Sequence, residues 1–294
     1  MPGGYVGVDV FFVISGYLIT NILISDIEAS RYSLMEFYKR RALRILPALF
    51  AVVAFTLLMS SFLLLPAEQR ELGASIVATS SFLSNFYFWS VSDYFSAPAE
   101  SAPLLHTWSL AVEEQFYIFF PILLLFLSKY SKKHIPHTIA LLSLASFTLC
   151  LFLTKLHQET AFYLLPTRAW ELGIGATLAI WAYKKPTAKR SSFALSAAGL
   201  ALILTPVFLL EKNSEFPGWN ALYPTVGTAL LIGWANGTTV GRFLSTPPMI
   251  WIGKISYSFY LWHWPLIVFW RLEFGHDLSG LEAIFLFSLS IVLA

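Results

Sequence analysis

The sequence predicts an all-α, polytopic integral membrane protein, and three observations carry that prediction. Of the 294 residues, 57% are hydrophobic and only 12% charged, with a mean hydropathy of +0.67. That leaves too few polar groups to clothe a soluble globule of this size. Segments 45–65 and 72–92 run without a charge, and 135–154 and 191–210 are about as long; a helix of about 20 apolar residues spans the roughly 30 Å hydrocarbon core. These runs are continuous rather than alternating, which favours helices over barrel strands, because backbone groups in lipid must be satisfied within the segment.

Taken in order, the first span is 8–25, inside GYVGVDVFFVISGYLIT. Gly3, Gly4 and Gly7 precede it and permit close backbone approach. Segment 45–65 follows the basic run FYKRRALRILP, and 72–92 comes next. The polar, proline-containing stretch SDYFSAPAESAPLLHTW suits a re-entrant segment, which is tolerated at membrane depth only inside protein or beside a water-filled cavity. Span 109–128 contains Glu113 and Glu114, 135–154 contains Cys150, and 168–183 starts with Arg168 and Glu171. Spans 191–210, 221–235 and 256–270 follow, the last holding His263 in SYSFYLWHWPL. The apolar run 283–294 is shorter than a span. The count is about nine to ten transmembrane helices with one re-entrant candidate, in a single membrane-embedded domain over 1–294 whose two ends both read as cut. The N-terminus lacks the basic region and uninterrupted apolar core of a signal peptide, so targeting rests on the helices.

Basic residues give a partial orientation. Lys39, Arg40, Arg41 and Arg44 form one group, Lys129, Lys132 and Lys133 a second, and Lys184, Lys185, Lys189 and Arg190 a third. The positive-inside tendency would put all three on the cytoplasmic side. Three candidate spans separate the first two groups, however, and two groups on one side require an even number of crossings.

Ionisable groups in apolar helices are costly in lipid and mark sites by default. Glu113 and Glu114 lie in LLHTWSLAVEEQFY, and Asp9, Arg168, Glu171 and His263 are each set in helix-length apolar segments. Arg41 and Arg44, three residues apart, share a helix face, with Arg40 four from Arg44. Two guanidiniums on one face can hold a diphosphate bidentately, and the same cluster would also serve as a headgroup anchor. Arg168 is a candidate partner for the paired glutamates, or forms a self-contained pair with Glu171 on its own helix. Asp9 also reads as an acid at a helix N-terminus, Ser15 and Gly16 as small residues for helix packing, and His263 as part of an interfacial aromatic belt with Trp262 and Trp264. His106, beside Trp108, is a candidate for substrate contact. The single cysteine excludes an internal disulfide. No metal-ligand spacing, phosphate-binding glycine loop or nucleic-acid surface is evident.

In order and separation, GYVGVDVFFVISGYLIT, FYKRRALRILPAL, LLHTWSLAVEEQFY, FYLLPTRAWELGIGA and ISYSFYLWHWPL resemble the membrane acyltransferase 3 family across essentially the whole chain. The resemblance implies transfer of an acyl group, most often acetyl, from cytoplasmic acyl-CoA to a hydroxyl of a cell-envelope or exported carbohydrate. It implies a multi-pass protein of the bacterial inner membrane, with no permanently bound cofactor. The family's Arg-x-x-Arg pair matches Arg41 and Arg44 and is associated with the acyl-CoA donor; Trp-Ser-Leu-x-x-Glu matches Trp108, Ser109, Leu110 and Glu113. The family's first helix, with a basic residue and the histidine regarded as catalytic, would precede Gly3, and neither His106 nor His263 occupies the matching position. Glu113 and Glu114 are then expected to support that histidine or the acceptor. Relatives with a similar loop before the paired glutamates continue into an extracytoplasmic esterase-like domain. The alternatives from other classes are a glycolipid transporter lined by Asp9, Glu113 and Arg168, and a catalytically inactive fragment.

Overall fold

A computed structural model describes residues 3–91, 101–184, 191–211 and 214–294. Every regular element among them is helical. A 3-10 turn, Gly4–Val6, leads into α1 (Gly7–Glu28), followed by α2 (Leu34–Leu63), α3 (Pro66–Ser80), α4 (Ser84–Val91), α5 (Thr107–Tyr130) and α6 (Ile135–Leu156). After these come α7 (Gln158–Tyr163), α8 (Leu165–Lys184), α9 (Phe193–Leu209), α10 (Leu222–Trp234), α11 (Thr239–Leu244), α12 (Pro247–Phe274) and α13 (Gly280–Leu293). Among the described residues, four stretches are long and apolar enough to cross a membrane: Gly4–Glu28, Leu34–Leu63, Thr107–Tyr130 and Lys132–Leu156. Helices α9, α10 and α13 are apolar but shorter.

The expected span 72–92 is not one helix. It breaks between α3 and α4 at residues 81–83, where Phe82 takes the left-handed φ of 55°. The 15 residues of α3 rise only about 22 Å, short of the hydrocarbon thickness. Neither glycine nor proline marks the break, so the composition of 72–92 conceals it. Among the described residues, α2 and α5 are the helices between the first and second basic groups that are long and apolar enough to cross. Most of the re-entrant candidate, and Lys185, Lys189 and Arg190 of the third basic group, lie outside the described residues.

The chain divides into two compact units, Met1–Tyr32 with Val112–Thr246 and Ser33–Ala111 with Pro247–Ala294. In the first, α8 packs along α1 and α6, and α9 along α10. The α1–α8 crossing is built on glycine: a Cβ on Gly16 would lie 1.9 Å from the Leu172 carbonyl oxygen, and one on Gly175 2.1 Å from that of Val13. Small residues allow such backbone contact between membrane helices. At the end of α1, Glu28 pairs with Lys132 at 2.6 Å.

In the second unit, α2 carries the organising face. Ile45, Leu49 and Val52 follow helical spacing and pack with Leu110 and Leu261. Its opposite side leaves Leu43, Phe50, Leu57, Leu58 and Phe62 exposed, as a lipid-facing surface requires. Ser33 caps α2 by accepting from the Glu36 N–H. Helix α12 packs on α2 and α13.

Candidate functional site

Several ionisable side chains of this protein lie in its interior. Asp9, Arg168 and Glu171 are fully buried, and Glu113, Glu114 and His106 nearly so, whereas large aliphatic and aromatic side chains cover the outside. Among the described residues these side chains fall in three clusters, two in the first unit and one in the second.

Arg168 organises the first. It contacts Asp9 Oδ1 through Nη2 and Glu171 Oε1 through Nη1, each at 3.0 Å. The Phe12, Phe162 and Phe216 rings stand 5.5, 5.8 and 5.6 Å from its guanidinium carbon, a spacing suited to cation–π attraction. The expected intrahelical Arg168–Glu171 pair is present but is not self-contained, because Asp9 joins it from another helix. Asp9 also lies in the first turn of α1, where its charge complements the helix dipole. Arg168, read as a candidate partner for the paired glutamates, has its ion pairs with these two acids.

Glu113 centres the second cluster. Its Oε1 accepts hydrogen bonds from the Ser15 hydroxyl of α1 and from the Tyr117 hydroxyl one turn along α5. Glu114 and Gln115 are buried beside it in sequence. Ser15, read from sequence as a packing residue, thus makes a polar contact, and Tyr117 was missed although its i+4 relation to Glu113 was the available signal. Trp108 and Ser109, from the same motif, are also buried.

The third cluster sits where the chain enters α5. Along α12, Tyr257, Tyr260 and Trp264 follow helical spacing, and each donates to a backbone carbonyl. Tyr257 reaches Ile45 at 3.0 Å, Tyr260 reaches His106 at 2.7 Å, and Trp264 Nε1 reaches Ala102 at 2.9 Å. Segment 102–106 is thereby pinned to α12, with Ser109 Oγ 2.7 Å from the Tyr260 hydroxyl. The pinning brings the His106 and His263 rings to 5.6 Å. Trp264 is therefore held by an internal contact, and Trp262 packs on Phe55 at 5.1 Å, which the expected lipid-facing belt would not require. Tyr260, the residue that builds this cluster, had no distinguishing signal among so many aromatics.

Arg40, Arg41 and Arg44 lie in the first turns of α2. Arg40 and Arg44 are exposed and Arg41 half-buried. The 30 residues of α2 extend about 45 Å, more than the hydrocarbon thickness. Among the described residues no group of three or more His, Cys, Asp or Glu side chains could hold a metal ion.

An all-helical membrane protein with acid, hydroxyl and imidazole groups gathered in its interior defines the class. The chain belongs to the membrane acyltransferase 3 family, whose acyltransferase-domain model matches residues 2–294. It is 35% identical over 288 residues to the O-acetyltransferase OatA of Staphylococcus aureus, covering 92% of this chain and 47% of that protein. It is 34% identical over 283 residues to the peptidoglycan O-acetyltransferase OatA of Listeria monocytogenes, covering 90% and 45%. An uncharacterized protein of Haemophilus influenzae is 37% identical over 235 residues, covering 76% of this chain and 96% of that protein. The chain thus spans about half the length of its staphylococcal and listerial relatives. No solved structure matches it.

Proposed function

We propose that this chain is the membrane core of a bacterial O-acyltransferase that moves an acetyl group from acyl-CoA to a hydroxyl of a cell-envelope carbohydrate. The observation that carries the reading is the match along nine-tenths of the chain to relatives named as O-acetyltransferases, one of them for peptidoglycan. Family membership favours it over the transporter alternative. Its setting is the bacterial inner membrane, and an extracytoplasmic esterase-like domain, fused or separate, is the expected partner.

In this reading the acceptor oxygen attacks the thioester carbonyl, the carbon–sulfur bond breaks, and the hydroxyl proton passes through a base to the departing thiolate. Positioned general-base help is worth roughly 10²–10⁴-fold. Arg41 and Arg44, with Arg40, hold the donor's diphosphate by charge-assisted hydrogen bonds. Glu113, oriented by Ser15 and Tyr117, positions the base or an acceptor hydroxyl, and Glu114, Trp108 and Ser109 support that helix turn. Asp9, Arg168 and Glu171 hold α1 against α8.

The test uses membranes containing the full-length protein, carbonyl-labelled acetyl-CoA and purified peptidoglycan. Ester-linked label released by mild base, and absent from membranes lacking the protein, is the expected result. Label moved across the membrane without covalent attachment would sink the transferase reading in favour of transport.

A further inference from the structure

The His106 imidazole is buried, with one ring nitrogen directed as a donor at the Leu261 carbonyl and the other without a hydrogen-bond partner. A buried polar group left unsatisfied destabilises the fold, so its persistence asks for a ligand. Next to it, His263 Nδ1 lies 2.5 Å from the Tyr260 carbonyl oxygen. A carbonyl can only accept, so Nδ1 carries the proton and, in the neutral ring, Nε2 is left with its lone pair. His263 is half-buried and is the more exposed of the two rings.

The pair has a definite hydrogen-bond balance. His263 and a neutral His106 each offer one acceptor, their donors being directed at the Tyr260 and Leu261 carbonyls. Two acceptors match a ligand that brings O–H groups rather than anionic oxygens, because lone pairs repel phosphate or carboxylate. The neighbours of His263 along α12 are aromatic. Phe259 stacks on His263 at 6.0 Å with 11° between the planes, and the Tyr260 and Trp264 rings lie 5.3 and 6.4 Å from it. Ring faces of this kind suit the C–H faces of a sugar. Pinning of segment 102–106 by Tyr260 and Trp264 makes the arrangement preorganised rather than incidental.

We propose that His106 and His263 form a hydroxyl-binding site for a carbohydrate, holding adjacent sugar hydroxyls against the aromatic face of α12. Its assignment to the acceptor rests on the transferase reading above; the site's chemistry does not. The role is binding and positioning, separate from proton abstraction.

The experiment takes the full-length protein in lipid nanodiscs and a β-1,4-linked N-acetylglucosamine–N-acetylmuramic acid oligosaccharide as probe. Diethyl pyrocarbonate, which carbethoxylates accessible imidazole nitrogens, should label wild-type His263, and the oligosaccharide should slow labelling several-fold where acetyl-CoA does not. In the transfer assay, His263→Ala and His106→Phe should each raise KM for the oligosaccharide about tenfold, the loss of one or two net hydrogen bonds, with donor KM unchanged. Absence of protection, protection by the donor instead, or a fall in kcat at unchanged acceptor KM would each overturn the proposal. The footprint uses wild-type protein, so a misfolded variant leaves the inference testable. Protection without any transfer by the wild type would reject the transferase reading and keep the site; transfer without protection would reject the site and keep the transferase.

Discussion

Replacing Arg168 with Met should be among the most damaging single substitutions in this protein. Arg168 is 0% exposed and is paired at 3.0 Å with each of two carboxylates that are themselves fully buried. Removing the cation leaves Asp9 and Glu171 facing each other without compensation, and breaking a buried ion pair from one side costs about 3–5 kcal/mol. That corresponds to roughly 10²–10⁴-fold in the folding equilibrium. The converse change should be mild. Asp9→Asn removes one of two anions, keeps an oxygen that can accept from Nη2, and leaves Arg168 balanced by Glu171, so about 1 kcal/mol is expected. The triple variant Arg168→Met/Asp9→Asn/Glu171→Gln should regain most of the loss, because neutral replacement of a buried ionic cluster is often tolerated. Equilibrium unfolding in mixed micelles, followed by tryptophan fluorescence, measures all three. Arg168→Met matching wild type within about 0.5 kcal/mol, or Asp9→Asn costing as much as Arg168→Met, would refute the reasoning.

Gly16→Ala and Gly175→Ala should each force α1 and α8 apart, since the added methyl meets backbone at 1.9 or 2.1 Å; overpacking of this kind costs about 1–3 kcal/mol, and unchanged unfolding midpoints would disprove it. Ser15→Ala and Tyr117→Phe each remove one donor to Glu113, and a double-mutant cycle on transfer rate should show coupling of about 0.5–3 kcal/mol; strict additivity would mean that the two hydroxyls do not act through the same carboxylate. Arg41→Ala/Arg44→Ala should raise the KM for acetyl-CoA by tenfold or more and flatten its dependence on salt, while acceptor KM stays put; an unchanged donor KM would remove these arginines from the donor site.

Local chemistry made much of this protein readable in advance. Spans 109–128 and 135–154 appear as α5 and α6 because about 20 apolar residues have few alternatives in lipid, and the helical spacing of Arg41 and Arg44 needs only the helix itself. The break at residues 81–83 escaped because it rests on one left-handed residue, Phe82, whose type argues against that conformation. Ser15 reads as a packing residue until Glu113 is placed beside it, and the two are 98 positions apart in the chain. Asp9 and Arg168, 159 positions apart, pose the same difficulty. One sequence contains no record of which polar side chain answers which.

By itself the sequence determined that this chain lives in lipid, that its helices carry charges needing shelter, and that its motifs are those of a membrane acyltransferase. Hydropathy and helical period are local properties, and a few consecutive residues suffice to express them. Only the tertiary structure decided that Arg168 serves two acids, that Glu113 gathers hydroxyls from two helices, and that His106 and His263 meet. Burial makes those pairings obligatory, but which pairs form depends on how glycine-lined helices and pinned loops pack, and packing is a property of the whole fold.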